Sequence, residues 1–236
     1  MVLMKPIKII IIVIILAAAG FFLSKQLGKD QPASDLESMK QSLIAPADIK
    51  AQNLTPELKD KYLARLKAAQ DELVKFNFDN LQLVDQVAQQ KKLLGDIDGA
   101  IIAWEYANLI RPQNSLSFSN LAALYHFDLN QYDKAEKNYL ISIANDPDDI
   151  NTIRNLFEMY TTAVMDNAKA EALLLAAIED NQSEPAKAVD LYALAGSFYA
   201  ENGNNAKALE YYRKVLEINP NNEPVKKEIA RLEALK

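Results

Sequence analysis

The chain has 236 residues, half of them apolar and a quarter charged, enough for one globular domain of ordinary size with appendages. It contains no Cys, which excludes disulfides, a thiolate zinc site and a Cys nucleophile. The net charge is −6; Lys5, Lys8, Lys25 and Lys29 give residues 1–29 a charge of +4 and leave −10 on the rest, an acidity that argues against a nucleic-acid partner. Gly is scarce at 6 while Ala, Leu, Lys and Glu abound, which favours helix over sheet.

Residues 1–29 carry an uninterrupted apolar run from Ile9 to Leu23, extended past Lys8 by Ile7. As a helix, Ile7 to Leu23 spans roughly 26 Å, a little short of a bilayer core, and Lys8 and Lys25 can snorkel to close the gap. The favoured reading is a signal anchor, a single transmembrane helix. The rival is a cleaved signal peptide with its site at Ala17-Ala18-Ala19, disfavoured because cleavage would leave Gly20-Phe21-Phe22-Leu23 as a greasy new end. Flanking lysines tie at two on each side, and the α-amino group tips the N-terminus inward. The expectation is a single-pass membrane protein with a cytoplasmic N-terminus and an extracytoplasmic body, in the periplasm or at the cell surface.

Residues 30–56, with Pro32, Pro46 and Pro56 among small polar residues, read as a linker or stalk, with room for a short helix after Ser34. Thr55 and Pro56 then mark a helix start. Leu58, Tyr62, Leu66, Ala69, Leu73 and Phe76 form one apolar stripe, so 57–78 reads as an N-terminal packing helix, with a coiled-coil dimer as the alternative.

Beyond it the chain repeats itself. Ala100, Ala135, Ala170 and Ala208 open four similar blocks, spaced by 35, 35 and 38 residues. Four places on stand Trp104, Tyr139, Leu174 and Tyr212; twelve places on stand Pro112, Pro147, Gln182 and Pro220. Each block is preceded by a second helical stretch, clearest in NLAALY (120–125), NLFEMY (155–160) and YALAGSFY (192–199). A fixed period near this length marks stacked helical hairpins, because one hairpin cannot bury its apolar side alone. Residues 79–222 hold four such hairpins. Residues 223–236 close the stack as a capping helix, with Asn222 or Glu223 as its cap, Pro224 in its first turn and Val225, Ile229 and Leu232 on one face.

These residues resemble the tetratricopeptide repeat. The fourth block matches best, through Tyr192, Ala195, Gly196, Tyr199, Gly203, Ala208, Tyr212, Val215 and Pro220. The second matches with one extra residue in its turn. The third lacks the Pro, and the first has Lys91 where the family has Tyr. The resemblance implies an all-α fold, a right-handed α–α superhelix, here preceded by the transmembrane helix. It also implies a concave face, lined by the first (A) helix of each hairpin, that grips a protein or peptide partner. The positions carried over are Asp85, Gln86 and Gln89; Ser119, Asn120 and Ala123; Arg154, Asn155 and Glu158; and Ala193 and Ser197. An Asn amide can hold a peptide backbone with both donor and acceptor, and Arg154 can pair with a carboxylate. The full set of Lys, Asn and Arg with which some family members clamp a C-terminal carboxylate is absent.

No catalytic motif occurs, so the chain reads as a non-enzyme with no cofactor, metal or small-molecule substrate. Its single His, His126, reads as a groove-facing or surface residue. Asp146-Pro147-Asp148-Asp149 reads as a capping turn rather than a Ca²⁺ loop, and Trp104, Tyr139 and Tyr212 read as core. Two functions fit: a membrane-tethered scaffold that recruits a partner through its groove, and a structural subunit of a cell-envelope assembly (pilus, secretion or wall synthesis) held by its convex face. The short array and simple anchor suggest a bacterial setting.

Overall fold

A computed structural model describes residues 33–181 and 184–235, which form eleven α-helices and no strand. They are α1 (Ala33–Ile44), α2 (Pro56–Lys75), α3 (Leu81–Leu93), α4 (Ile97–Ile110), α5 (Ser115–Ala123), α6 (Tyr132–Asn145), α7 (Ile150–Glu158), α8 (Asn167–Asp180), α9 (Pro185–Glu201), α10 (Asn205–Ile218) and α11 (Glu223–Glu233). The described chain divides into two compact units at Asn145 and Asp146. No described helix is long and apolar enough to cross a membrane. The anchor read at residues 1–29 lies outside the described residues, as does Gln182.

Side chains set most helix starts. Thr55, Asn80, Asp96, Asp149, Asp166, Asn204 and Asn222 each accept a backbone N–H of the first turn that would otherwise go unpaired. Asp149 takes two, from Asn151 and Thr152, so the acidic turn at 146–149 acts as a helix cap.

In the N-terminal unit, α3 pairs with α4 and α5 with α6, and α4 packs on α5. Ala100, Ala103, Ala107, Ala122 and Ala135 are fully enclosed, and Trp104 and Tyr139 fill the space between helices. Small residues sit where helix axes cross closely, and aromatics sit where they diverge. Helix α2 lies along α3 through Leu66, Ala69 and Leu73; the ends of its stripe, Leu58 and Phe76, stay exposed.

The tether expectation for residues 30–56 is corrected over its described part. Helix α1 packs on α4, and Leu43 is 1% exposed. Gln70 Nε2 on α2 donates to the carbonyls of Leu43 (2.8 Å) and Ala45 (3.0 Å). Lys50 and Ala51 both donate their N–H to Leu94 O at 3.1 Å. Residues 43–51 thus form a strap fixed through its backbone, which composition does not report. Lys91, in the place of the family's Tyr, serves the same strap. It is 2% exposed, pairs with Asp96 at 2.8 Å and donates to Ala45 O at 3.4 Å.

In the C-terminal unit, α7 pairs with α8 and α9 with α10, α8 touches α9, and α11 covers α10 with Val225 and Leu232. A Cβ on Gly196 of α9 would strike the Tyr212 ring of α10, so this crossing requires glycine. Tyr199 OH donates to Glu171 Oε1 at 2.7 Å, and Lys207 Nζ reaches the same oxygen at 2.9 Å, tying α8, α9 and α10 together.

The A-to-B turns follow one rule with two lengths. Gly95, Asn130, Met165 and Gly203 all have positive φ (84°, 52°, 58° and 74°), and each lies five residues before the repeat's Ala. In the first and fourth hairpins the closing bond spans five residues, from Asp96 N to Lys91 O and from Asn204 N to Tyr199 O. In the second and third it spans six, from Gln131 N to Tyr125 O and from Asp166 N to Tyr160 O. The extra residue is absorbed by a π-helical turn at Leu124–Asp128 and at Met159–Ala163. This corrects the expectation for His126. The wider turn carries it inward, where it is 6% exposed, its Nδ1 lies 3.4 Å from Tyr139 OH, and its ring stacks on Phe127.

Candidate functional site

The A-helix positions behave differently in the two units. In the N-terminal unit they are α3 and α5. Asp85, half-buried on α3, is the centre of a network. Its Oδ1 accepts from Trp104 Nε1 and from Asn120 Nδ2, both at 2.9 Å, and its Oδ2 accepts from Gln89 Nε2 at 2.7 Å. Asn120, expected to hold a peptide backbone, therefore spends its donor on the preceding A helix. A hydrogen bond to a carboxylate contributes about 1.5–3 kcal/mol, so a ligand gains little by displacing it. Gln86 and Gln89 remain exposed, and Ser119 and Ala123 are half-buried beside them.

In the C-terminal unit the A helices are α7 and α9, and their polar groups are only loosely committed. Arg154 is exposed, and its guanidinium stands 3.8 Å from Asp190 Oδ2, with both side chains more than half exposed. Such a surface pair contributes at most about 1 kcal/mol and exchanges readily for another carboxylate. Asn155, the next residue, is half-buried, and its amide makes no hydrogen bond among the described residues. Glu158 is exposed one turn further along the same helix. Ser197 on α9 donates to Glu201 Oε1 at 2.9 Å, and Ala193 is half-buried.

Beneath this face the floor is apolar and fixed. Ile153, Leu156 and Phe157 of α7 are buried, and Phe157 meets Phe198 edge to face at 5.5 Å. A helix held from below by packing presents its outer residues with little conformational freedom, which lowers the cost of ordering a ligand. Arg154, Asn155 and Glu158 thus offer a cation, an uncommitted amide and an anion within two turns. That set suits an extended peptide: the amide matches the backbone's paired donor and acceptor, and the charges fix direction and register.

Sequence reasoning places the A-helix positions but misses the roles of two acids. Asp85 reads in the sequence as one more groove residue and is the keystone of the N-terminal unit's face. Asp190 carries no mark in the sequence and is the resting partner of Arg154. Among the described residues, no group of three or more His, Asp or Glu side chains is placed to hold a metal ion.

The tetratricopeptide-repeat family model matches residues 189–222, which cover most of α9, all of α10 and the Pro-bearing turn after them. No curated protein matches the chain.

Proposed function

Because the chain carries a tetratricopeptide repeat at residues 189–222, within a fold of successive helical hairpins, we propose that it is a protein-interaction scaffold whose A-helix face grips an extended peptide segment of a partner. The observation that carries this reading is the contrast between Asn155 and Asn120. The first is uncommitted beside an exchangeable Arg154, and the second is bonded to Asp85. Recognition therefore centres on the C-terminal unit, on Arg154, Asn155, Glu158 and Ser197. Gln86, Gln89 and Ser119 are the corresponding positions of the N-terminal unit, with a lesser role.

Affinity purification of the chain, beside the double variant Arg154→Glu and Asn155→Ala, tests this. Both positions leave the core untouched, so the variant folds. Loss of co-purifying partners supports the groove; an unchanged partner set overturns it.

The proposal extends to the cell. The apolar run from Ile9 to Leu23, flanked by lysines, supports tethering to a bacterial membrane with the body on the extracytoplasmic side. A single Cys at Asn204, in the last A-to-B turn, can be labelled without background because the chain has no thiol of its own. Labelling of intact cells by a membrane-impermeant maleimide supports an exported body, and labelling only after lysis reverses the topology.

A further inference from the structure

A cleft of about 540 Å³ opens in the N-terminal unit between α1, α4, α5 and α6. Its floor includes Phe118, Leu121 and, from the adjoining π turn, Tyr125. At about 100° per residue, these three project from the side of the A helix opposite to Ser119, Asn120 and Ala123. The cleft is therefore separate from the peptide-gripping face. It also lies within the size range of ligand pockets.

Three groups in it lack a partner suited to them. Asn108 Oδ1 is buried without a hydrogen-bond donor among the described residues. Lys134 and Lys137, three apart on α6 and so on one side of the helix, are exposed, and neither ammonium lies within ion-pair distance of an acid among the described residues. Lys134 rests over the Tyr125 ring, 5.0 Å from its centroid. The opposite rim carries the acids Asp35 and Glu105. Burial pushes the Glu105 carboxyl above its ordinary range, while Lys134 and Lys137 pull it down from a distance.

The arrangement suits an occupant with a carboxylate toward α6 and an apolar group against the cleft's apolar lining, which includes Met39, Ile102 and Leu109. A peptide supplies both in one short stretch, an acidic side chain for the exposed Lys134 and Lys137 and an apolar one beside it. We infer that this cleft is a second docking site, for a short partner segment that sets an acidic side chain beside apolar ones. The chain's net charge of −6 opposes an acidic partner at long range, but that repulsion is screened beyond roughly 8 Å at physiological salt, whereas the two lysines act at contact.

The probe is a short fluorescein-labelled peptide with Glu-Leu-Glu-Phe at its centre, titrated into the full 236-residue chain and followed by anisotropy and by the Met39 methyl resonance in the cleft wall. The expected result is saturable binding that shifts the Met39 methyl. It weakens at least about tenfold in the variant Lys134→Glu with Lys137→Glu, and is unchanged in the charge-matched variant Lys59→Glu with Lys61→Glu, exposed on α2 outside both faces. All four lysines are exposed, so each variant retains its fold. The inference is overturned if the peptide does not bind up to about 1 mM, or if its Lys-Leu-Lys-Phe counterpart binds equally well. It is also overturned if the Met39 resonance moves with protein concentration alone, which would make the occupant a second copy. A shift on deletion of residues 1–32 without peptide would make the occupant the chain's own N-terminal segment, and would overturn it equally.

Discussion

Asn120 Nδ2 lies 2.9 Å from Asp85 Oδ1, joining two successive A helices across 35 residues of sequence, and Trp104 Nε1 shares that oxygen at the same distance. Replacing Asp85 by Ala strands an indole N–H and an amide, so it should lower stability by about 2–4 kcal/mol in urea unfolding. Asn120→Ala should cost about 1.5–3 kcal/mol, as expected for a bond to a carboxylate. Asn155→Ala, at the equivalent repeat position, should stay within about 0.5 kcal/mol. Equal costs at 120 and 155 would refute the claim that one amide is committed and the other free.

The Lys91–Asp96 pair is enclosed on both sides, with side chains 2% and 8% exposed. Lys91→Leu alone leaves a buried carboxylate without its cation and should cost about 3–5 kcal/mol. Adding Asp96→Asn should recover most of that loss. Asn still accepts the Gly99 N–H that Asp96 Oδ1 holds at 3.0 Å, and no charge remains to be paired. Chemical denaturation of the single and double variants measures the difference; a double variant no more stable than Lys91→Leu would show that the lost ammonium bond to the strap dominates.

The turn residues separate two costs. A Cβ on Gly203 meets nothing, so Gly203→Ala pays only for positive φ, about 1–2 kcal/mol. A Cβ on Gly95 would run into the backbone of Lys50 and Ala51. Gly95→Ala should therefore cost more and should open the strap, seen as lost hydrogen-exchange protection at the Lys50 and Ala51 amides. Met165 holds the same left-handed conformation with an 81% exposed side chain, so Met165→Gly should raise stability by about 1 kcal/mol. A fall in thermal midpoint for that variant would mean that the Met side chain stabilises the turn by packing.

Tyr199 makes stability depend on alkaline pH. Burial, and then its bond to the Glu171 carboxylate, push its phenol well above the ordinary value of about 10. Below that value both folded and unfolded chains keep the proton, and stability is level. Above it the unfolded chain ionises while the folded chain does not, so stability falls as pH rises. Tyr199→Phe should cost about 1–2 kcal/mol at neutral pH and flatten the decline between about pH 9 and 11. The slope should not vanish, because burial raises Tyr211 and Tyr212 as well. An unaltered slope would contradict the assignment.

The hairpins were legible because close helix crossing admits so few residues. Ala100, Ala135, Ala170 and Ala208 had to be small, and all are fully buried. Trp104, Tyr139 and Tyr212 had to fill the gap to the next helix, and they are buried too. The strap was not legible, because backbone bonds such as those to Leu94 O leave no mark in composition. His126 was misplaced because its environment depends on one extra residue in the turn, visible as the spacing of Tyr125 from Asn130 against that of Tyr199 from Gly203. Asn120 and Asn155 look alike in sequence, yet the residue 35 places before Asn120 is an acid that can bind its amide. That Asp85 was the available signal.

The most direct measurement is a site-specific photo-crosslinking scan in cells, with the reactive group placed in turn at Asn155, Glu158 and Ser197 on the A-helix face and at Arg213 and Glu217 on α10. Recognition by the A-helix face predicts that a partner is captured from those three positions and not from α10. Capture from Arg213 and Glu217 alone would contradict it and would place the interaction on the opposite helix of the repeat.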